Sequence, residues 1–190
     1  MSKQTKIAVL GGGSWATAIV KMLSENLENI GWYMRSAYAI EHIKRNKHNP
    51  SYLSSAELQP EQLDLSDDMN YIVDNYDVLI FAIPSAFLNT ELEKLKSSLK
   101  AKVIFSAIKG IVPETGLIVG EHFHDIHKVP FENIGVISGP CHAEEVAMER
   151  LSYLTLACKD ESKAVELSKY IAGRYIKTKI SDDVIGTEYA

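Results

Sequence analysis

The chain has 190 residues, is 46% hydrophobic and carries a formal net charge of -5. That is enough chain for one domain burying about 70% of its extended surface without a disulfide or metal staple, and interspersed lysines and glutamates argue against a nucleic-acid partner. Two cysteines, Cys141 and Cys158, make no disulfide framework and suit a reducing cytoplasm, while no apolar run reaches membrane-spanning length and the first apolar stretch meets glycines too early for a signal peptide.

The first predicted element is a strand over Ile7–Leu10, followed by Gly11-Gly12-Gly13-Ser14-Trp15-Ala16 and a helical pattern over Ser14–Leu27. Gly-x-Gly-x-x-Ala between a strand and a helix is the dinucleotide-binding fingerprint. Gly11 permits the tight turn, Gly13 lets backbone approach a pyrophosphate, and Ala16 packs the helix close on the strand. The helix N-terminus then offers N–H groups and partial positive charge to phosphates.

Alternation continues along the chain. Further strands are predicted at Ile30–Met34, Val78–Ile83, Val103–Ala107, Ile134–Ile137, Tyr153–Ala157 and Tyr175–Ile180, and further helices at Ala37–Asn46, Asp67–Asn75, Ala86–Ser97, Leu117–Ile126, Ala143–Arg150 and Glu161–Ala172. Several strands are apolar on both faces, as in a parallel sheet covered by helices. The expected fold is therefore α/β and Rossmann-like: a doubly wound, mostly parallel sheet with helices on both faces, with residues 1–190 as one dinucleotide-binding domain. One long irregular stretch, 47–66, is broken by Asn49-Pro50 and Gln59-Pro60. Loops of that length in compact domains are often functional.

Ligands of such folds bind beyond the carboxyl ends of the strands. After successive predicted strands stand the glycine turn, Met34-Arg35, Pro84-Ser85, Lys109-Gly110 and Ser138-Gly139-Pro140-Cys141-His142. An NAD site usually places an acid after its second strand to hold the ribose 2′-hydroxyl. No acid lies between Asn29 and Ile40, and Arg35 stands there instead. Arginine suits a 2′-phosphate or stacking on adenine, which favours NADP, or both cofactors, over strict NAD. Lys109 could meet an anionic substrate or a carbonyl becoming negative, or be an ordinary surface lysine. His122, His124 and His127 crowd together, but without a second ligand pair at zinc spacing they predict no metal site. Cys141 reads as a small pocket residue, and Glu144 and Glu145 as acids favouring a helix start.

Taken in order, these motifs resemble NAD(P)-dependent sn-glycerol-3-phosphate dehydrogenase. Gly11 to Ala18 resembles the family's Gly-x-Gly-Ser-Trp-Gly-Thr-Ala, Trp32 to Arg35 its Trp-x-x-Arg, and Asn49 to Leu53 its Asn-x-x-Tyr-Leu. Ile83-Pro84-Ser85 resembles Val-Pro-Ser, Lys109-Gly110-Ile111 the Lys-Gly-Ile/Leu, Ser138 to Val146 the Ser-Gly-Pro-Ser-x-Ala-x-Glu-Val, and Asp183 to Glu188 the Asp-x-Ile-Gly-x-Glu. The resemblance implies a cofactor domain followed by an all-helical domain, which together reduce dihydroxyacetone phosphate reversibly to sn-glycerol 3-phosphate for phospholipid synthesis. It implies that Ser14, Trp15, Arg35, Tyr52 and Ala143 contact NADP or NAD, joined by Gly11, Gly13, Ala16, Pro84 and Ser85 of the strand-end turns. Lys109 would serve cofactor and substrate, and Gly139 and Cys141 would line the substrate position.

Ala16 replaces the family's third glycine, and Cys141 its Ser or Thr, leaving only a weak thiol donor. The family's proton-transferring lysine belongs to a Leu-Lys-Asn segment just beyond the last motif, and the chain stops at Ala190 before it. No catalytic residue is therefore expected in this chain, which should bind cofactor without turning over. A homodimer is an expectation for the longer protein. Two other readings stay open: another β-hydroxyacid-type dehydrogenase, and a non-catalytic NAD(P)-sensing module.

Overall fold

The computed structural model describes residues 5–189. Eight strands form one sheet: β1 Ile7–Leu10, β2 Ile30–Tyr33, β3 Leu63–Ser66, β4 Val78–Phe81, β5 Val103–Ser106, β6 Ile134–Ser138, β7 Ser152–Cys158 and β8 Ile176–Ser181. Their order is β3-β2-β1-β4-β5-β6-β7-β8. Every neighbouring pair is parallel except β6–β7. The helices are α1 Ser14–Ser24, α2 Ala37–Asn46, α3 Met69–Asn75, α4 Ser85–Leu92, α5 Val119–Asp125, α6 Ala143–Ala147, α7 Glu161–Ile171 and α8 Val184–Tyr189.

Alternation of side chains along each strand builds two cores. Ile7 and Val9 of β1, Trp32 of β2, Ile80 of β4 and Leu156 of β7 join one core, which takes Ala16, Ile19 and Leu23 from α1, Ile40 and Ile43 from α2, Val146 from α6 and Leu167 from α7. Ala8 and Leu10, Tyr33, Phe81, Ile104 and Val136 join the other, covered by Ile72 of α3, Leu88 of α4, Phe123 of α5 and Val184 of α8. The doubly wound, mostly parallel architecture expected from the chain's patterning is the one present.

The differences are local. The stretch 47–66 is not wholly irregular, because β3 closes it as the edge strand beside β2. β3 is short and only half-buried, with Asp64 in its middle, so it shows no apolar run to read. Asp64 accepts from Tyr71 (3.0 Å) and Tyr76 (2.9 Å), which ties this edge to α3 and its end. α8 was not expected: Gly186 lowers helix propensity, but the Asp183 carboxylate accepts from its N–H at 2.8 Å and stabilises the first turn. α4 ends at Leu92 rather than Ser97, and α6 at Ala147 rather than Arg150.

Strand order reverses between β1 and β4: the chain winds outward from β1 through β2 to β3, then returns to β4 on the other side. That switch point opens a crevice beyond the strand ends, where folds of this kind hold ligands.

Candidate functional site: a cleft at the switch point

Gly11 leaves β1 with φ +135°, and a Cβ there would stand 2.5 Å from the Ala82 carbonyl oxygen just past β4. Its N–H donates to the Tyr33 carbonyl at 3.0 Å, and its own carbonyl accepts from Trp32 Nε1 at 2.7 Å. The turn is thus pinned between β2 and β4. Gly13 precedes α1 in extended conformation, and a Cβ there would meet nothing within 4 Å. No side chain caps α1 and no acid lies in its first turn, whereas Ser36, Asp68 and Asp160 cap α2, α3 and α7. The first-turn N–H groups and the space above Gly13 therefore fit a phosphate.

Asn49 holds the following loop against this turn. It is 1% exposed. Its amide donates to the Gly12 carbonyl (3.2 Å) and Thr17 Oγ1 (3.0 Å), and its Oδ1 accepts from the N–H groups of Ser51 and Tyr52. Tyr52 is thereby set at the rim, half its side chain in solvent.

The cleft above the turn measures about 270 Å³. Gly11 to Gly13 form its floor, Tyr33 to Ser36 one wall, Asn49, Ser51 and Tyr52 a second, and Ile83, Pro84, Phe87 and Glu91 a third. Arg35 projects into it with its guanidinium 5.8 Å from the centre of the Phe87 ring. Glu91 is buried and receives three donors: Tyr33 Oη (2.7 Å), Lys94 Nζ (2.7 Å) and Arg35 Nη1 (3.5 Å). Burial alone would raise this carboxyl, but the bonds from Lys94 and Tyr33 and the charges of Lys94 and Arg35 outweigh it and hold it below the usual carboxylate range. Burial and the Glu91 carboxylate raise the Tyr33 phenol well above its ordinary value, so it stays a donor.

The expected site residues fall into three groups. Gly11, Gly13, Arg35, Tyr52 and Pro84 line the cleft. Ser14, Trp15 and Ala16 open α1 beside it, with Ala16 buried and Trp15 half-buried against the core under α1. Ser85 and Ala143 lie outside it as the first residues of α4 and α6, as do Lys109, Gly139 and Cys141 on the turns after β5 and β6. Ser85 Oγ lies 3.7 Å from where a Gly110 Cβ would stand, which brings the β4 and β5 turns together. The Cys141 thiol is pushed up by burial and then by Glu145, with the Lys109 ammonium pulling the other way, so Lys109 and Cys141 share one neighbourhood. Phe87 and Glu91 were missed. They sit four apart on α4, one face of a helix that starts at the switch point, and that spacing is the signal for them.

The histidines of α5 do other work. His122 is buried 3.4 Å from Thr115 Oγ1, and His124 Nδ1 meets the Val129 carbonyl at 2.9 Å. No group of three His, Cys, Asp or Glu among the described residues could hold a metal ion. Glu145 accepts from the His142 N–H at 3.2 Å, a helix-start contact.

Residues 6–164 match the family model for the NAD-dependent glycerol-3-phosphate dehydrogenase N-terminus. The chain belongs to that family. It is 33% identical over 188 residues to glycerol-3-phosphate dehydrogenase [NAD(P)+] of Pseudomonas syringae pv. syringae and 34% identical to that of Pseudomonas fluorescens, covering 99% of this chain and 54% of each relative. The chain thus spans about half the length of the curated relatives it matches. Among solved structures, glycerol-3-phosphate dehydrogenase of Plasmodium falciparum superposes with TM-score 0.84 at 24% identity, over 97% of this chain and 54% of that one. The Coxiella burnetii enzyme does so with TM-score 0.82 at 23% identity, over 97% and 56%. These two likenesses establish the shared fold.

Proposed function

We propose that this chain is the cofactor-binding part of a glycerol-3-phosphate dehydrogenase that interconverts dihydroxyacetone phosphate and sn-glycerol 3-phosphate, using NADP or NAD. The observation that carries this reading is the open space above Gly13 beside an uncapped helix start, set at the switch point of the sheet. Gly13 and the first turn of α1 hold the pyrophosphate, and Arg35, Phe87 and Tyr52 flank the adenosine. Pro84, Ser85, Lys109, Gly139, Cys141 and Ala143 would hold the cofactor's other end. The nicotinamide supplies hydride exchange with the substrate carbon. Lys109 is exposed, and its ammonium would set positive charge against a carbonyl oxygen gaining negative charge.

A proton must also reach that oxygen. Among the described residues no carboxylate is bonded to Lys109 to direct such a transfer, and we assign the step to a lysine outside these residues. No helix among the described residues is long and apolar enough to cross a membrane. Both cysteines are free thiols, and we place the protein in the cytoplasm.

Calorimetric titration of the chain with NADPH and NADH should show saturable binding with one cofactor per chain. Absence of heat with folded protein at millimolar cofactor would overturn the reading. Adding dihydroxyacetone phosphate should give no measurable NADPH oxidation, because loss of a general acid alone costs about 10²–10⁴-fold. Robust turnover would show that the proton donor lies within the chain.

A further inference from the structure

An acid does reach the wall where β2 supplies none. α4 begins directly after β4, and its second turn carries Glu91 to the side of Arg35, with only 2% of its side chain exposed. Three donors meet this carboxylate, and they are not equivalent. Tyr33 is buried and bonded at 2.7 Å, and Lys94, itself largely exposed, is bonded at 2.7 Å from the turn that follows α4. Arg35 is the longest contact, at 3.5 Å, and has a 62% exposed side chain at the cleft. Tyr33 and Lys94 satisfy the carboxylate as part of the fold. Arg35 is the partner that a ligand can take over.

We propose that Glu91 is a specificity-determining residue that tempers the preference of Arg35 for a 2′-phosphate and keeps the pocket open to NAD. The inference rests on the reading that this cleft takes the adenosine end of a dinucleotide. A 2′-phosphate that pairs with Arg35 must draw it from Glu91 and face that carboxylate's charge across a few ångströms of partly shielded space. It brings no proton for the carboxylate to accept at neutral pH. A 2′-hydroxyl carries no charge to be repelled and does bring a donor. Phe87, under the guanidinium, keeps the stacking surface available in either case.

The test is the ratio of NADPH to NADH affinities, measured by calorimetry on the whole chain and on Glu91→Gln. The amide keeps the size and an acceptor for Tyr33 while removing the charge. One fewer negative charge near the phosphate should raise the NADPH:NADH affinity ratio about tenfold, with circular dichroism showing an unchanged fold. A merely structural loss would weaken both cofactors together and leave the ratio within about twofold, which would overturn the inference. If Glu91→Gln does not fold, Glu91→Asp, whose shorter side chain draws away from Arg35, should move the ratio the same way by less. No movement there would overturn the inference equally. Wild-type chain that binds neither cofactor would overturn the reading of the cleft and this inference with it. Binding of both with an unchanged ratio overturns this inference alone.

Discussion

Gly11 and Gly13 are alike in the sequence and differ in what surrounds them. A methyl group at Gly11 would collide with the Ala82 carbonyl in a backbone conformation that side chains rarely adopt. Gly11→Ala should therefore destabilise the chain by about 3 kcal/mol or more, read as an earlier midpoint in urea unfolding. Gly13 has ordinary extended geometry and free space above it. Gly13→Val should leave that midpoint nearly unchanged while cutting cofactor affinity about 100-fold or more. If Gly13→Val binds as the wild type does, the pyrophosphate does not pass there. The spacing of the motif pointed to both glycines, since each is a missing side chain at a fixed step from a strand end. Asn49 was less legible. Asn-Pro marks a chain break, and nothing local says that this amide turns inward to bind Gly12 and Thr17. The spacing of Phe87 and Glu91 puts them on one helix face, but the meeting of Glu91 with Arg35 was hidden for a related reason: it joins residues far apart in the chain.

At the scale of elements, α8 docks through Glu188, whose two oxygens accept from the Gly120 N–H at the start of α5, at 3.2 and 3.1 Å. Burial dominates this carboxyl and pushes it up to about 7, against the bonds from Gly120 and Val119 and with the help of the Glu121 charge. A carboxyl raised on folding binds its proton more tightly in the folded state. Its docking is therefore strongest below its ordinary pKa of 4.5 and weakens as pH climbs through about 7. Hydrogen exchange corrected for intrinsic rates should show α8 and Gly120 losing protection between pH 5 and pH 8, roughly tenfold or more. Glu188→Gln should flatten that dependence, and an equally steep profile in the variant would remove Glu188 as the cause. The sequence made the central strands plain because Ile7–Leu10 and Val78–Phe81 are apolar on both faces, as burial between two helical layers requires. β3 escaped because an edge strand needs no such run, and α8 because its stability comes from an Asp183 cap and its docking rather than from its own propensity.

Across the whole molecule, the cleft joins parts that are distant along the chain: the turn after β1, the end of β2, the loop holding Asn49 and the first turns of α4. A ligand seated there binds the folded state alone. Cofactor at a hundred times its Kd should contribute about 2.7 kcal/mol, which for a domain of this size corresponds to about 5–10 °C in Tm. Thermal scans with increasing NADPH should rise accordingly, and a flat response would mean that binding does not depend on the assembled cleft.

β1 sits in the middle of the sheet, paired on one side with β2 and on the other with β4, which the ribosome delivers only after α2, β3 and α3. The floor of the cleft lies at the seam between β1 and β4, where Gly11 rests on Ala82. A chain still waiting for β4 has no place for the cofactor, so the ligand cannot hasten that closure. A cofactor seated there would hold the seam shut afterwards, and its stabilisation would fall on the unfolding rate. In a cell, loaded molecules would outlive empty ones in the presence of proteases, and the cofactor pool would set how long each copy persists.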